Sequence, residues 1–298
     1  MKIGLNVMAS EALYGGDVGK VLEMIALADA KGIDYVSISD HLGFTKSAHA
    51  ERRVTRKFPF VLEQPWFEPI SFLSAVAATT KRVRLSTFVL IASLRPTLLL
   101  AKQLATLDVI SKGRVSIGLG VGWQEPEFRA AGMAFEGRFG DLEDSVKAMR
   151  ALWSEPPAAA SGRAFAFEDF YSLPRPAQGA GLPILFGFNP TTKNLDRIAR
   201  LADGWALDPA YRGEFADRME ELRGLCRQYG RDASKLEVHL GQGAVRGADG
   251  KIDWTAVKAG AQQAAAEGAT TVSLMVADFC KSPGDVEAFI DQAVALKA

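Results

Sequence analysis

The chain has 298 residues, 48% of them hydrophobic and 23% charged, which is long and apolar enough to bury a core and excludes a disordered chain. Lys plus Arg and Asp plus Glu balance at 35 each, so no net field draws the protein to nucleic acid or to an anionic membrane, and a small-molecule partner is expected. Cys226 and Cys280 lie far apart with no Cys or His at ligand spacing, which argues against a disulfide framework and a metal site and fits a reducing cytoplasm.

The chain opens on "KIGLNV", a first strand that leads to Asn6 and Met8; "MKIGLNVMAS" is too short an apolar run for a signal peptide. Asp17 stands at the start of the helical stretch "VGKVLEMIALADAKG", which Gly32 ends. "DYVSIS" reads as the second strand and delivers Ser39, Asp40 and His41. Asp40 and His41 form the most reactive-looking pair, because a carboxylate beside a histidine sets its charge and orientation. A capped strand end is the plain alternative. The insertion from Gly43 to Pro65 carries "ERRVTRKF" and reads either as a lid or as a solvated loop.

"VRLSTFVLIA" is the third strand, with Thr87, Phe88 and Val89 inside it; Arg95 and Pro96 keep the run "FVLIASLRPTLLLA" from transmembrane length. The fourth, "RVSIGLG", runs into Gly120, Val121, Gly122 and Trp123. Glycines at 118, 120 and 122 lack the downstream spacing of a dinucleotide fingerprint. They admit a flat ring or a phosphate close to the backbone, or they relieve crowding inside a barrel. Glu125 and Glu127 read as acids in the first turn of a helix, and Asp141 as the start of "LEDSVKAMRALW". Between Ser154 and Gly181, "RAFAFEDFYSL" reads as an inserted hairpin or extended loop.

"PILFGF" is the fifth strand, followed by Asn189, Thr191 and Thr192 at a helix start, where amides and hydroxyls hold an anion or simply cap the helix. "GWALD", "LEVHLGQGAV" and "TVSLMV" complete eight strand-helix units. That count predicts an α/β fold, a closed (β/α)8 TIM barrel forming one domain over 1–298 with insertions near 43–65 and 154–181. Barrel chemistry collects where strands end, which selects the residues named above. His49 and His239 read as structural. Trp66, Phe67, Phe167 and Phe170 suggest an apolar pocket, although aromatics in insertions more often pack.

The stretch from "RVRLSTFVLIAS" through "LAKQLATLDVISKGR" and "GLGVGWQEPEFRAAGMAFEGR", with the later "RLADGW", resembles the bacterial luciferase-like family of flavin- and deazaflavin-dependent oxidoreductases. The resemblance covers Lys2 to about Asp208. It implies a (β/α)8 barrel that binds FMN or the deazaflavin coenzyme F-420 at its C-terminal mouth. The ring would lie against Thr87, Phe88 and Val89, with a non-proline cis peptide near Phe88–Val89. The phosphate would be held by Gly120, Val121, Gly122 and Trp123 and by Phe188, Asn189 and Thr192. Luciferase itself often has Glu-His-His after the second strand and Cys-Arg in the fourth-strand loop; here Ser39-Asp40-His41 and Gly120-Val121 stand, which resembles the deazaflavin branch.

The resemblance implies hydride transfer or monooxygenation of a small organic substrate, with Asp40 and His41 handling the proton. It also implies a flavin reductase as partner in the monooxygenase case, and a homodimer. A flavin-binding barrel subunit without turnover is the alternative, against which Asp40, His41 and Arg95 stand.

Overall fold

The computed structural model describes residues 1–55 and 58–297; Arg56 and Lys57 of the first insertion, and Ala298, lie outside the described residues. The strands are β1 (Lys2–Asn6), β2 (Tyr35–Ile38), β3 (Arg84–Thr87), β4 (Leu90–Ile91), β5 (Ile117–Gly120), β6 (Ala158–Gly162), β7 (Phe165–Phe170), β8 (Ile184–Phe186), β9 (Gly204–Leu207), β10 (Glu237–Gln242) and β11 (Thr271–Met275). The helices are α1 (Val18–Lys31), α2 (Lys46–Thr55), α3 (Pro69–Thr79), α4 (Thr97–Ser111), α5 (Glu125–Ala130), α6 (Arg138–Trp153), α7 (Thr192–Leu201), α8 (Phe215–Gln228), α9 (Trp254–Glu267), α10 (Val276–Phe279) and α11 (Val286–Ala295).

Parallel neighbours need crossover connections, and helices supply them around a single sheet of order β3-β2-β1-β11-β10-β9-β8-β5-β4. The ring closes between β3 and β5, where the Leu85 amide donates to the Arg114 carbonyl and the Ser116 amide to the Leu85 carbonyl, both at 2.9 Å. β3 and β4 are two halves of one barrel strand, divided at Phe88–Val89, whose peptide is cis as the resemblance implies. The strand positions are therefore those read from the sequence, and the fold is a (β/α)8 TIM barrel.

The apolar core lies between the outer faces of the strands and the helices. Val21, Ile25 and Ala28 of α1 and Leu100, Leu104 and Leu107 of α4 are almost fully buried. Asp17 caps α1 by accepting from the Lys20 amide at 3.3 Å, and Gly32 ends it at φ 103°, as the sequence indicates. α6 starts earlier than expected. Gly137 is its N-cap and Asp141 lies within its first turn, where a carboxylate favours the helix dipole without capping it. The 154–181 insertion contains the antiparallel hairpin β6–β7, with Ala160 opposite Phe167. The 43–65 insertion contains α2. Among the described residues no helix is long and apolar enough to cross a membrane.

At the opposite end of the barrel from the strand C-termini, the interior is polar. Glu237 accepts from Tyr35 Oη at 3.0 Å and from Ser116 Oγ at 2.8 Å, with His239 Nε2 at 3.5 Å. Burial opposes its charge, but His239, Ser116 and the Arg84 guanidinium outweigh burial and hold Glu237 down to about 2. A depressed carboxylate contributes stability that is fully present above its ordinary value of 4.5 and disappears as pH falls toward about 2. Glu237→Gln should therefore lower stability at neutral pH by about 3 kcal/mol, and the gap should close between pH 4.5 and about 2. Urea unfolding followed by circular dichroism across that range checks it; a gap that does not change with pH would contradict the assignment.

Candidate functional site

The C-terminal mouth of the barrel includes the loops after β2, β4, β5 and β8, and the predicted site residues lie in these loops or in the strand ends beside them, Thr87 within β3 and Gly120 within β5. Asp40 is buried at the end of β2. Arg95 meets it with two bonds, Nη1 to Oδ2 at 2.6 Å and Nη2 to Oδ1 at 3.1 Å, and the Ile91 amide donates to Oδ2 at 2.8 Å. Arg95 also reaches Glu68 Oε1 at 3.1 Å. Burial disfavours the guanidinium charge, but Asp40 and Glu68 outweigh it and raise Arg95 above its ordinary value. Both carboxylate oxygens of Asp40 are thus committed to holding the end of β2 against the end of β4 and the turn after it.

His41 lies one residue further, and its side chain is 8% exposed. Nδ1 is 2.9 Å from Glu127 Oε2, and the Trp123 indole N–H donates to Nε2 at 3.3 Å. Glu127 also accepts from the Leu42 amide at 2.5 Å and from Gln124 Nε2 at 2.9 Å. Burial pushes Glu127 upward, but the bonds from His41, Gln124 and Leu42 prevail and hold it below the usual carboxylate range. Glu127 is a residue that sequence reasoning missed: it stands in the first turn of α5 as expected, yet it is buried while Glu125 is exposed. The one signal in the sequence is Phe128 beside it, fully buried, which turns this face of a six-residue helix inward.

Phe88 and Val89 are half-buried at the mouth, between the buried Thr87 and Leu90. Three glycines make room for Val89. A Cβ on Gly120 would come within 2.7 Å of Val89 Cγ2, one on Gly187 within 2.4 Å of Val89 Cγ1, and one on Gly118 within 2.2 Å of the Thr87 carbonyl oxygen. A Cβ on Gly122 would meet Phe128 at 2.7 Å. Of the two readings left open by the glycine pattern, relief of crowding is therefore the one the packing bears out. Val89 is therefore seated against glycines of the fourth and fifth barrel strands, and Phe88 and Val89 stay half-buried where the third strand breaks.

The other predicted binding residues divide. Thr87 is fully buried and its hydroxyl donates to the Gly118 carbonyl at 2.6 Å, which joins the third strand to the fourth. Phe188 is buried, packs on Phe186 and Phe139, and its carbonyl accepts from Trp205 Nε1 at 3.0 Å. Asn189 and Thr192 are exposed, and Thr191 caps α7 by accepting from the Asn194 amide at 3.3 Å. Gly120 and Val121 are buried, and Arg138 brings a guanidinium to the same loop, its Nε donating to the Gly122 carbonyl at 3.3 Å.

Over His41 lies an aromatic cover drawn from the 43–65 insertion and the residue after it. The Phe44, Trp66 and Trp123 rings stand 4.5, 4.9 and 5.6 Å from the imidazole, and Phe58 stacks on Trp66 at 6.3 Å. His49 belongs to this packing, with Nε2 at 3.0 Å from the Phe60 carbonyl. Arg52 of α2 lies over the Trp123 ring at 4.7 Å. Phe67 stacks on Phe72, and Phe167 lies tilted against Phe170, so of the suggested pocket aromatics Trp66 alone joins the histidine.

A family model described as luciferase-like monooxygenase matches residues 1–252. An uncharacterized protein of Mycobacterium tuberculosis is 39% identical over 145 residues, 49% of this chain and 50% of its own length. An F420-dependent glucose-6-phosphate dehydrogenase of Kineococcus radiotolerans is 31% identical over 209 residues, 69% of this chain and 56% of its own. An FMNH2-dependent dimethylsulfone monooxygenase of Pseudomonas fluorescens is 27% identical over 192 residues, 62% and 50%. The chain thus spans about half the length of the curated relatives it matches. Among solved structures, the monooxygenase RslO1 of Streptomyces bottropensis superposes with a TM-score of 0.79 at 22% identity, covering 99% of this chain and 98% of that one. An F420-dependent secondary alcohol dehydrogenase gives 0.77 at 18%, covering 99% and 97%. These likenesses show the barrel.

Removing one partner of a buried ion pair strands the other charge. Arg95→Met should cost about 3–5 kcal/mol in urea unfolding. Arg95→Lys should recover only part of this, because an ammonium cannot make the two-pronged contact. Wild-type stability in Arg95→Met would remove the clamp from the account.

Proposed function

Because the chain belongs to the luciferase-like monooxygenase family, we propose that it is an oxidoreductase that takes FMN or coenzyme F420 at the barrel's C-terminal mouth and acts on a small organic substrate by hydride transfer or oxygenation. The observation that carries this reading is a buried histidine, fixed on both ring nitrogens, at the same end of the barrel as the half-buried Phe88–Val89 strand break. The relatives that bear on it include both an F420-dependent dehydrogenase and an FMNH2-dependent monooxygenase.

Either group, when bound, supplies two-electron exchange at its ring. Phe88 and Val89 are the floor for that ring. The backbone from Gly120 to Trp123 and the exposed start of α7 at Asn189 are the places for the phosphate. The Arg138 guanidinium meets its charge and stands in for the arginine that this loop lacks beside Gly120.

His41 takes or returns the proton that accompanies the redox step, at Nε2 once Trp123 releases it. Asp40 acts through position: with both oxygens on Arg95 and Ile91 it places His41 and moves no proton. The aromatic cover excludes water above the imidazole. Asp40, which as a free acid would favour the deazaflavin branch, is committed elsewhere, so the two chemistries draw on the same side chains. In the oxygenating case a separate flavin reductase supplies the reduced cofactor.

Fluorescence titration of the purified protein with FMN and with F420 should show saturable binding of at least one; no binding of either at high micromolar concentration removes the cofactor assignment. With the bound cofactor and a turnover substrate, His41→Ala should leave cofactor affinity nearly intact and slow turnover by about 10²–10⁴-fold. Equal loss of binding and turnover would instead make His41 a binding residue.

A further inference from the structure

We propose that Glu127 is a positioning residue that holds His41 as the neutral tautomer protonated at Nδ1, and that Trp123 masks the basic Nε2, so that proton uptake at His41 and release of Trp123 are one event. The inference deepens the proton-handling role given to His41 above and rests on it only for its catalytic meaning; the tautomer itself is a property of the protein alone.

Two contacts demand the same tautomer. The Glu127 side chain is 1% exposed and receives the Leu42 amide at 2.5 Å and Gln124 Nε2 at 2.9 Å, a set of donors that suits an ionised carboxylate. A carboxylate only accepts, so the hydrogen in the 2.9 Å contact with His41 belongs to Nδ1. An indole N–H only donates, so Nε2 must offer its lone pair to Trp123 at 3.3 Å. A doubly protonated imidazole keeps the bond to Glu127 but sets an Nε2 hydrogen against the Trp123 hydrogen. Either the proton stays away or the indole moves.

The groups facing His41 make the move consequential. Besides Glu127 and Gln124, whose Nε2 lies 3.4 Å from Nδ1 but spends its two hydrogens on the Gly43 carbonyl at 2.6 Å and Glu127 at 2.9 Å, they are the rings of Phe44, Trp66 and Trp123. The charges nearby are Arg52, over the Trp123 ring, and Asp40, which is matched by Arg95. Through Arg52 the Trp123 ring touches α2, so an indole that leaves Nε2 disturbs the contact between the fourth-strand loop and the cover. The masked nitrogen is thereby exposed when Trp123 leaves it, and that departure is felt at α2.

The test uses protein labelled with ¹⁵N in its histidine rings, without cofactor or substrate. Two-bond ¹H–¹⁵N spectra distinguish the tautomers, and His41→Gln identifies the His41 signals among the three histidines. The wild type should show Nδ1 protonated and Nε2 unprotonated at neutral pH. Glu127→Gln, which still offers Leu42 an acceptor, should shift the population toward the Nε2–H form while unfolding stays cooperative.

A second readout needs no variant. The Trp123 indole hydrogen should be protected from solvent exchange at neutral pH and lose about 3–10-fold of that protection, the worth of one hydrogen bond, as His41 takes its second proton. An Nε2–H tautomer in the wild type, an unchanged tautomer in folded Glu127→Gln, or indole protection indifferent to that protonation would each overturn the proposal. Failure of FMN and F420 to bind leaves these spectra unaffected, so this inference and the cofactor assignment fail separately.

Discussion

Asp40 carries a carboxylate into a place where its side chain is 1% exposed, and Arg95, itself 9% exposed, answers with two nearly parallel bonds. A charge buried alone is costly, so the two must stay together, and staying together fixes the end of β2 relative to the turn after β4. The Ile91 amide closes the same arrangement at 2.8 Å. With Asp40 turned to Arg95, the next residue is presented to the loop after β5, where Glu127, Gln124 and Trp123 receive it. The clamp positions the histidine, and the histidine organises the aromatic cover.

The barrel was legible because its pattern is local. Short apolar runs alternating with helix-period segments need no knowledge of tertiary partners, and each such run in the sequence became a strand of the ring. The hairpin at β6–β7 was legible for the same reason, from alternating aromatics. The helix start read at Asp141 lies four residues late because Gly137 takes the cap position with φ 80°, a role that glycine fills without a side-chain bond to reveal it.

The site was only half legible. His41 and Asp40 follow a strand, and strand ends in barrels are a narrow search space. Glu127 lies 86 residues from His41, and no periodicity connects the loops after β2 and β5. The glycines of β5 were ambiguous in sequence because clearance for a ligand and clearance for Val89 call for the same residue. The packing separates the two, since Val89 reaches into the space from the broken third strand. Glycines that face protein atoms thus still set how the broken strand sits at the place proposed for the ring.

In the proposed function the Phe88–Val89 strand break and the imidazole of His41 serve one bound redox cofactor. A crystal structure of the protein soaked with whichever of FMN or F420 it takes up tests this most directly. The account predicts the ring on Phe88–Val89 with its phosphate at the Gly120–Trp123 loop beside Arg138, on the side of the barrel where His41 stands. A cofactor seated at another face, or a ring at the mouth turned away from His41 with Trp123 still bonded to Nε2, would contradict it.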